Sequence, residues 1–513
     1  MHKLPIGIST LSEIINHGYV YVDKTAHIQR LVELGKYYFL SRPRRFGKSL
    51  LVDTLRELFT GNEALFRGLA IHPHWDWNNP NPVIYLSFND GVHHSAEQLQ
   101  ERIRTQLHDN AARLQVRLPN TNDPALLLQR LIEYSVQQHG QPAVILVDEY
   151  DKPILDQLDN TPLAIALREV LKDLYSVIKG RDSLLRFVLL TGVSKFSQVS
   201  LFSGLNNLED ITLDTRYATL CGYTQAELEQ HFAPFLTHVD KNTMRAWYNG
   251  YRWLGESVYN PFDVLLFFSK GGQYRNYWFN SGTPSFLLKL LRSGEYYWPE
   301  LEKLIVNETT LGSFELDHIP LEALLFQTGY LTIRDTFLLG ERMGFELGYP
   351  NHEVRLSLNE QLLQYFVPAR SQPAMVSANV YRLLETADLD KLRALFERFF
   401  SSIPYEWYTS NQLDQYEGFY ASLFYSHMVA CGARTTAEDS TNRGRIDLVC
   451  ELANKVYIFE FKVISADEKG NALQQIQHKG YAEKYRDGRE LYLVGIEFDK
   501  VKRNIGRFEW QRG

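Results

Sequence analysis

Two runs in this chain carry residue types that could do chemistry on phosphate groups. Near the N-terminus the apolar Tyr38-Phe39-Leu40-Ser41 leads into Arg42-Pro43-Arg44-Arg45-Phe46-Gly47-Lys48-Ser49, and the following Leu50-Leu51-Val52-Asp53-Thr54-Leu55 reads as a helix. Strand, loop, Gly-Lys-Ser and helix in that order offer backbone N–H groups and a helix N-terminus to phosphates, with Lys48 reaching the β/γ oxygens and the Ser49 hydroxyl on Mg²⁺. Arg42 stands where such a loop usually has its first glycine, so by spacing alone a phosphate cradle and a basic turn fit about equally well. Further on, five apolar residues, Ala143–Val147, end in Asp148-Glu149. That suits a buried parallel strand opening at a ligand crevice, where Asp148 would hold Mg²⁺ through its water shell and Glu149 would polarise an attacking water. Read alone, the same segment fits an acidic strand-to-loop turn. A further strand at Arg186–Leu190 delivers Thr191 or Ser194 to the same edge, as γ-phosphate sensors or as ordinary strand-end residues. The expected nucleotide contacts are Arg44, Arg45, Phe46, Gly47, Lys48, Ser49, Leu50 and Asp148.

The second run lies near the C-terminus. Arg445–Leu452 and Lys455–Val463 read as two strands around the turn Ala453-Asn454. With Leu452 opposite Lys455, counting back places Asp447 opposite Glu460. Alternation then puts Ile446, Leu448 and Cys450 with Phe461, Phe459 and Tyr457 on an apolar face, and Asp447, Glu460, Lys462 and Arg445 on the other. Two carboxylates facing each other across an antiparallel pair, with Cβ atoms about 4.5–5.5 Å apart, repel unless a positive charge sits between them. Mg²⁺ takes oxygen ligands of this kind, and the Phe461 carbonyl could add another. Lys462 would then orient or activate a water for attack on a phosphodiester. The alternative is a solvated hairpin in which Lys462 and Arg445 neutralise the acids.

Together, Tyr21-Val22-Asp23-Lys24-Thr25, the Ser41–Ser49 loop, Val147-Asp148-Glu149-Tyr150-Asp151 and Phe202-Ser203-Gly204-Leu205-Asn206-Asn207-Leu208 resemble the bacterial AAA-ATPase-like family whose members carry a C-terminal PD-(D/E)XK nuclease domain. In that family the arginine in place of the first loop glycine is the usual form. The resemblance spans essentially the whole chain and implies ATP binding at Lys48 and Ser49, with Asp148 and Glu149 in the roles above. It also implies a nuclease signature in Asp447 and Glu460-Phe461-Lys462, with Glu417 as the upstream helical acid and Gln475 and Lys479 as flanking polar residues. The metal ligands so expected are Ser49 and Asp148 for nucleotide-bound Mg²⁺, and Glu417, Asp447, Glu460 and Phe461 for a nuclease Mg²⁺ that Mn²⁺ can replace. Nucleic acid, DNA before RNA, is the implied partner. An ATPase of this type can draw an arginine from a neighbouring copy, so a homo-oligomer is among the arrangements the resemblance allows. The rival function is a nucleotide-switched scaffold whose C-terminal domain binds without cutting.

The elements that must position these residues follow an α/β pattern. The candidate strands Tyr37–Ser41, Val83–Phe88, Ala143–Asp148 and Arg186–Thr191 alternate with helical segments, which argues for a parallel sheet covered on both faces. The expected domains are a P-loop ATPase core over 1–223, a helical, winged-helix-like lid over 224–370, a helical linker over 371–404 containing one helix at Leu383–Phe400, and an α/β restriction-endonuclease-like domain over 405–513. Helices are expected near Tyr416–Cys431 and Asn471–Tyr485. Trp247, Tyr248, Tyr251 and Trp253 could stack on bases, but an aromatic lid core is the simpler reading. His427 and His478 lack a second regularly spaced ligand and read as core or surface residues, and Gly282-Thr283-Pro284 as a structural turn.

A chain of 513 residues, 44% hydrophobic and 22% charged, is a multidomain globular protein rather than a disordered or fibrous one. With 54 basic and 61 acidic residues its net charge is −7, so any nucleic-acid contact must use a local patch. Three scattered cysteines without a Cys-x-x-Cys pair argue against a disulfide framework or a thiolate zinc site. The N-terminal residues lack a signal-peptide pattern and no long apolar run occurs, so a cytoplasmic protein without a membrane partner is expected.

Overall fold

A computed structural model describes residues 3–195, 207–278, 297–312, 319–366, 373–403, 417–441, 444–464 and 470–513. The Phe202–Asn206 stretch and Gly282-Thr283-Pro284 lie outside the described residues. Packing divides the chain into two units, Met1–Gly282 with Ile305–Asn351, and Thr283–Leu304 with His352–Gly513.

The first unit is built on five parallel strands, β1 (Tyr37–Ser41), β2 (Val83–Ser87), β3 (Ala143–Asp148), β4 (Leu185–Gly192) and β5 (Glu209–Asp210), in the order β2-β3-β4-β1-β5. All residues of β1 and β3 are buried, which explains why both read as unbroken apolar runs rather than alternating ones. The helices α1 (Lys48–Phe59), α2 (Ala96–Arg113), α3 (Pro124–His139) and α4 (Thr161–Lys179) come between the strands. From β1 the chain crosses to the far edge at β2 and then steps back through β3 to β4. That reversal of direction opens a crevice at the carboxyl ends of the strands, where Ser41, Asp148 and Thr191 fall.

Three shorter helices follow, α5 (Gln225–His231), α6 (Lys241–Tyr248) and α7 (Pro261–Ser269). Thr224 and Glu227 close a capping box on α5, and Asn260 caps α7 with Pro261 in its first turn. Met244, Tyr248, Phe232, Phe267 and Phe268 form their common core, so the lid aromatics are packing residues, with Tyr248, Tyr251 and Trp253 all buried. The region expected to be helical also contains an antiparallel hairpin, β6 (Thr332–Leu339) with β7 (Arg342–Gly348).

From His352 on, the second unit contains α8 (His352–Phe366), α9 (Pro373–Thr386), α10 (Leu389–Ser401) and α11 (Glu417–Ala430). The single helix expected over Leu383–Phe400 is two. Ala387 adopts a left-handed φ of 54°, and the Asp388 side chain accepts from Lys391 N at 3.2 Å to restart the chain as α10. The helices pack through rings: Phe396 stacks on Phe424 at 4.2 Å, and Phe424 meets Phe459 and Phe461 edge-on. Those last two rings belong to a five-stranded sheet of order β12-β11-β10-β9-β8, formed by β8 (Arg434–Thr441), β9 (Gly444–Leu452), β10 (Lys455–Ile464), β11 (Glu490–Asp499) and β12 (Asn504–Arg512). Only β10 and β11 run parallel.

The β9/β10 register is the expected one from Leu452 opposite Lys455 through Cys450 opposite Tyr457 to Leu448 opposite Phe459, but the ladder ends there and the expected Asp447–Glu460 pair is not part of it. The expected polar face requires correction. The face bearing Glu460 also carries Val449, Val456 and Ile458, which are buried against Ile476 of α12 (Ala472–Lys479) and against Tyr481. Ile446 joins this second cluster as well. The sheet therefore carries buried apolar residues on both sides, and Asp447, Glu460 and Lys462 lie beyond the last pair of the β9/β10 ladder.

Candidate nucleotide and metal sites

In the first unit, Gly47 caps α1 in a left-handed conformation, φ 91°, which a side chain would strain. Lys48, the first residue of that helix, turns its ammonium back onto the loop, donating to the carbonyl oxygens of Arg42 at 2.9 Å and Pro43 at 3.0 Å. Phe46 is buried, edge-on to Tyr251 at 4.7 Å and Trp253 at 5.4 Å. Arg45, with φ 69°, lays its guanidinium 4.9 Å over the Phe262 ring, and the Arg44 carbonyl accepts from Trp278 Nε1 at 3.2 Å.

Arg42, in the place of the first loop glycine, does not line the cavity that Arg44 and Arg45 line. It is fully buried, donates to the carbonyls of Ser41 at 2.8 Å, Thr212 at 2.9 Å and Tyr217 at 3.2 Å, and stacks on Trp253 at 4.2 Å. Burial brings its guanidinium down to about 10. With no ion pair among the described residues, this charge is held chiefly by carbonyl dipoles and an aromatic face.

The acidic end is assembled from three neighbouring strands. Asp148 is buried, its Oδ1 accepting from Thr191 Oγ1 at 2.8 Å and its Oδ2 from Asn89 Nδ2 at 3.1 Å. Glu149 has φ 53°, and burial raises its carboxyl against the opposing pull of Lys48 and Arg44. Ser194 is turned away to Asp151, to which it donates from both Oγ and N at 2.6 Å, so its hydroxyl secures the β3–β4 ends. Arg44, Arg45, Phe46, Gly47, Lys48, Ser49, Leu50 and Glu149 all line one cavity of about 450 Å³. Its remaining wall combines apolar Ile8, Val20, Val22, Phe262 and Leu265 with Lys24, whose ammonium donates to the Thr219 carbonyl at 2.8 Å and to Glu227 at 2.6 Å. Such a cavity, with the basic side chains and backbone amides of the loop on an otherwise largely apolar wall, has the chemistry of a nucleotide site, and the Ser49 hydroxyl is an oxygen donor that suits Mg²⁺; the expected contacts Asp148 and Thr191 do not line it, Asp148 lying buried behind Asn89. Asn89, Asp151 and Lys24 were not identified as site residues from the sequence; no short-range pattern ties Asn89 to Asp148.

In the second unit, the β9/β10 pairing runs to Leu448 and Phe459, and Asp447 then accepts from the backbone N–H of Phe461 at 2.7 Å. A side chain has taken the place of a ladder partner. Glu460, one residue earlier on β10, is buried and accepts a hydrogen bond from Gln475 Nε2 of α12. Lys462, one residue later, is half-buried and has no ion pair among the described residues. Tyr481 Oη donates to the Arg445 carbonyl at 2.7 Å, and its phenol is raised by burial and then by Glu460 and Asp447. Lys479 runs beside Gly444 at the start of β9. Glu417 begins α11, but its side chain lies outside the described ones. Among the described residues no group of three or more His, Cys, Asp or Glu side chains is assembled. Asp447 and Glu460 are hard oxygen donors on neighbouring strands next to the end of the β9/β10 ladder, a donor type that suits Mg²⁺ or Mn²⁺; Glu417 completes the expected set. His427 is enclosed by Phe396 and Phe399, and His478 is exposed.

Residues 5–202 match the predicted AAA-ATPase family and residues 415–508 the PD-(D/E)XK nuclease superfamily. Over 508 residues the chain is 48% identical to a protein of Azotobacter chroococcum mcd 1 described as the uncharacterized protein in the vnfD 5′ region, covering 99% of this chain and 98% of that one.

Proposed function

For a chain that belongs to the family of predicted AAA-ATPases with a C-terminal PD-(D/E)XK nuclease-superfamily domain, we propose a function in two parts: it binds and hydrolyses ATP, and it cleaves phosphodiester bonds in nucleic acid, DNA in the first instance. The observation that carries the cutting activity is the Asp447 carboxylate on the Phe461 N–H at 2.7 Å, with Glu460 and Lys462 on either side of that residue. This ties the Asp447 carboxylate to the stretch of β10 that carries Glu460 and Lys462, just beyond the last β9/β10 pair.

In the nucleotide site, Lys48 would leave the Arg42 and Pro43 carbonyls for the β/γ oxygens, and the α1 N-terminus would hold the phosphates. Asn89 and Thr191 fix Asp148, and Glu149 would take a proton from water. In the second site, Asp447, Glu460, the Phe461 carbonyl and Glu417 would hold the metal. When bound, Mg²⁺ supplies a Lewis acid for the scissile phosphate and lowers the pKa of a coordinated water. Gln475 orients Glu460, and Lys462 would face the attacked phosphate.

No helix among the described residues is long and apolar enough to cross a membrane. Three cysteines without disulfides favour a reducing compartment, so the proposal places the protein in the cytoplasm. An arginine from a second copy could complete the ATPase, and sedimentation with and without ATP tests for that oligomer. The functional test is phosphate release from ATP, together with cutting of duplex DNA, single-stranded DNA and RNA in Mg²⁺ or EDTA. ATP turnover with metal-dependent cutting supports the reading; ATP binding without cutting under any condition makes the chain a nucleotide-switched binding protein.

A further inference from the structure

Glu497 takes no part in the sites described so far. It lies on β11 beside Lys462 of β10, the two being Cα partners in a parallel pair, which places their side chains on one face. It is 3% exposed. One carboxylate oxygen, Oε1, accepts from the backbone N–H of Ala472, the first residue of α12, at 3.2 Å, and Oε2 has no hydrogen-bond partner among the described residues. Two glycines close around it. A Cβ on Gly495 would collide with the Leu473 backbone, so α12 rests directly on bare strand, and a Cβ on Gly470 would collide with the Glu497 carboxylate itself. Gly495 is in turn the Cα partner of Glu460. At the next turn of the same helix, Gln475 reaches Glu460.

We propose that Glu497 is a positioning residue of the carboxylate site: it seats the first turn of α12 on Gly495 so that Gln475 holds Glu460 in the orientation a divalent cation requires. A buried carboxylate with one oxygen unsatisfied is costly and survives where it fixes something else. Here it fixes a helix start one turn before the side chain that grips a candidate ligand. Glu497 is remote in sequence from the Asp447 and Glu460-Phe461-Lys462 pattern and joins the site only through the pairing of β10 with β11.

This inference rests on the metal-site reading but not on cleavage. It is tested by calorimetric titration of Mn²⁺ into the nucleotide-free full-length protein, with Asp447→Ala as the blank, followed by DNA cutting on the same preparations. Glu497→Ala is expected to weaken the Asp447-dependent binding by about 10–100-fold, as loss of an outer-shell partner does. Because Glu497 acts through Gln475, Glu497→Ala added to Gln475→Ala should cost no more than a further ~2-fold. Wild-type Mn²⁺ affinity in Glu497→Ala, or full additivity with Gln475→Ala, overturns the inference and leaves the cleavage reading untouched. Should Glu497→Ala fail to fold by circular dichroism, Gly495→Ala decides: it displaces the same helix start and is expected to weaken Mn²⁺ binding, and wild-type affinity would overturn the inference. Asp447-dependent binding that Glu497→Ala weakens, in a protein that cuts nothing, keeps the inference and removes the nuclease reading. No Asp447-dependent binding removes both.

Discussion

At the scale of single residues, Lys48 is held ready by two carbonyls from its own loop, a pairing that phosphate oxygens can replace. Lys48→Ala is expected to lower ATP affinity by about 100-fold in equilibrium binding, through loss of a charge-assisted contact. Glu149→Gln should bind ATP normally yet turn it over ~10²–10⁴-fold more slowly, the usual effect of losing a general base. Arg42→Ala strands three buried carbonyls, and a loss of about 3 kcal/mol is expected in chemical denaturation. His427 makes a different test. Burial among aromatic rings lowers its imidazole to about 3 from an ordinary value of 6.5. The folded ring stays neutral while the unfolded chain takes up a proton below pH 6.5, so stability is unaffected above that pH and falls as pH drops from 6.5 towards 3. The expected slope is ~1.4 kcal/mol per pH unit, and it should be absent from the difference between pH 8 and pH 7 and reduced in His427→Leu when unfolding is followed across pH. The grouping of Gly47-Lys48-Ser49 with Glu149 around one cavity was legible in the sequence because each belongs to a local pattern with a local mechanism. Arg42 was not, because Thr212, Tyr217 and Trp253 meet it only after folding.

At the scale of elements, the β9/β10 register could be read because a two-residue turn and period-two alternation leave one solution. The parting of the strands at Asp447 could not, since nothing in the alternation says that a carboxylate will replace a ladder partner at Phe461. Nor could the cover on the Glu460 face, which comes from α12 and Tyr481 beyond the hairpin. The break between α9 and α10 was hidden in a continuous amphipathic pattern, because an alanine at φ 54° gives no compositional warning. That strain gives a prediction: Ala387→Gly should stabilise the protein by about 0.5–1 kcal/mol in denaturant titration, since glycine occupies this region at little cost.

At the scale of the whole molecule, a net charge of −7 means that the nucleic acid of the proposed function would have to be met locally, and a steep fall of DNA binding with salt is the expected sign of such a patch. The two candidate sites lie in separately packed units. Lys48→Ala should therefore keep Asp447-dependent metal binding, and Asp447→Ala should keep ATP turnover. The α/β class and the presence of both domains were legible from strand alternation and the resemblance. The packing boundary at Asn351 and His352 was not, because α8 and α11 come together from far apart in the sequence. The measurement that tests the central claim most directly is conversion of supercoiled plasmid to nicked or linear DNA by the purified full-length chain in Mg²⁺, compared with Asp447→Ala made in parallel. Cutting by the parent, abolished by EDTA and by the substitution, is the predicted result. Equal cutting by both proteins, or none by either with Mg²⁺ or Mn²⁺ and ATP present, contradicts it.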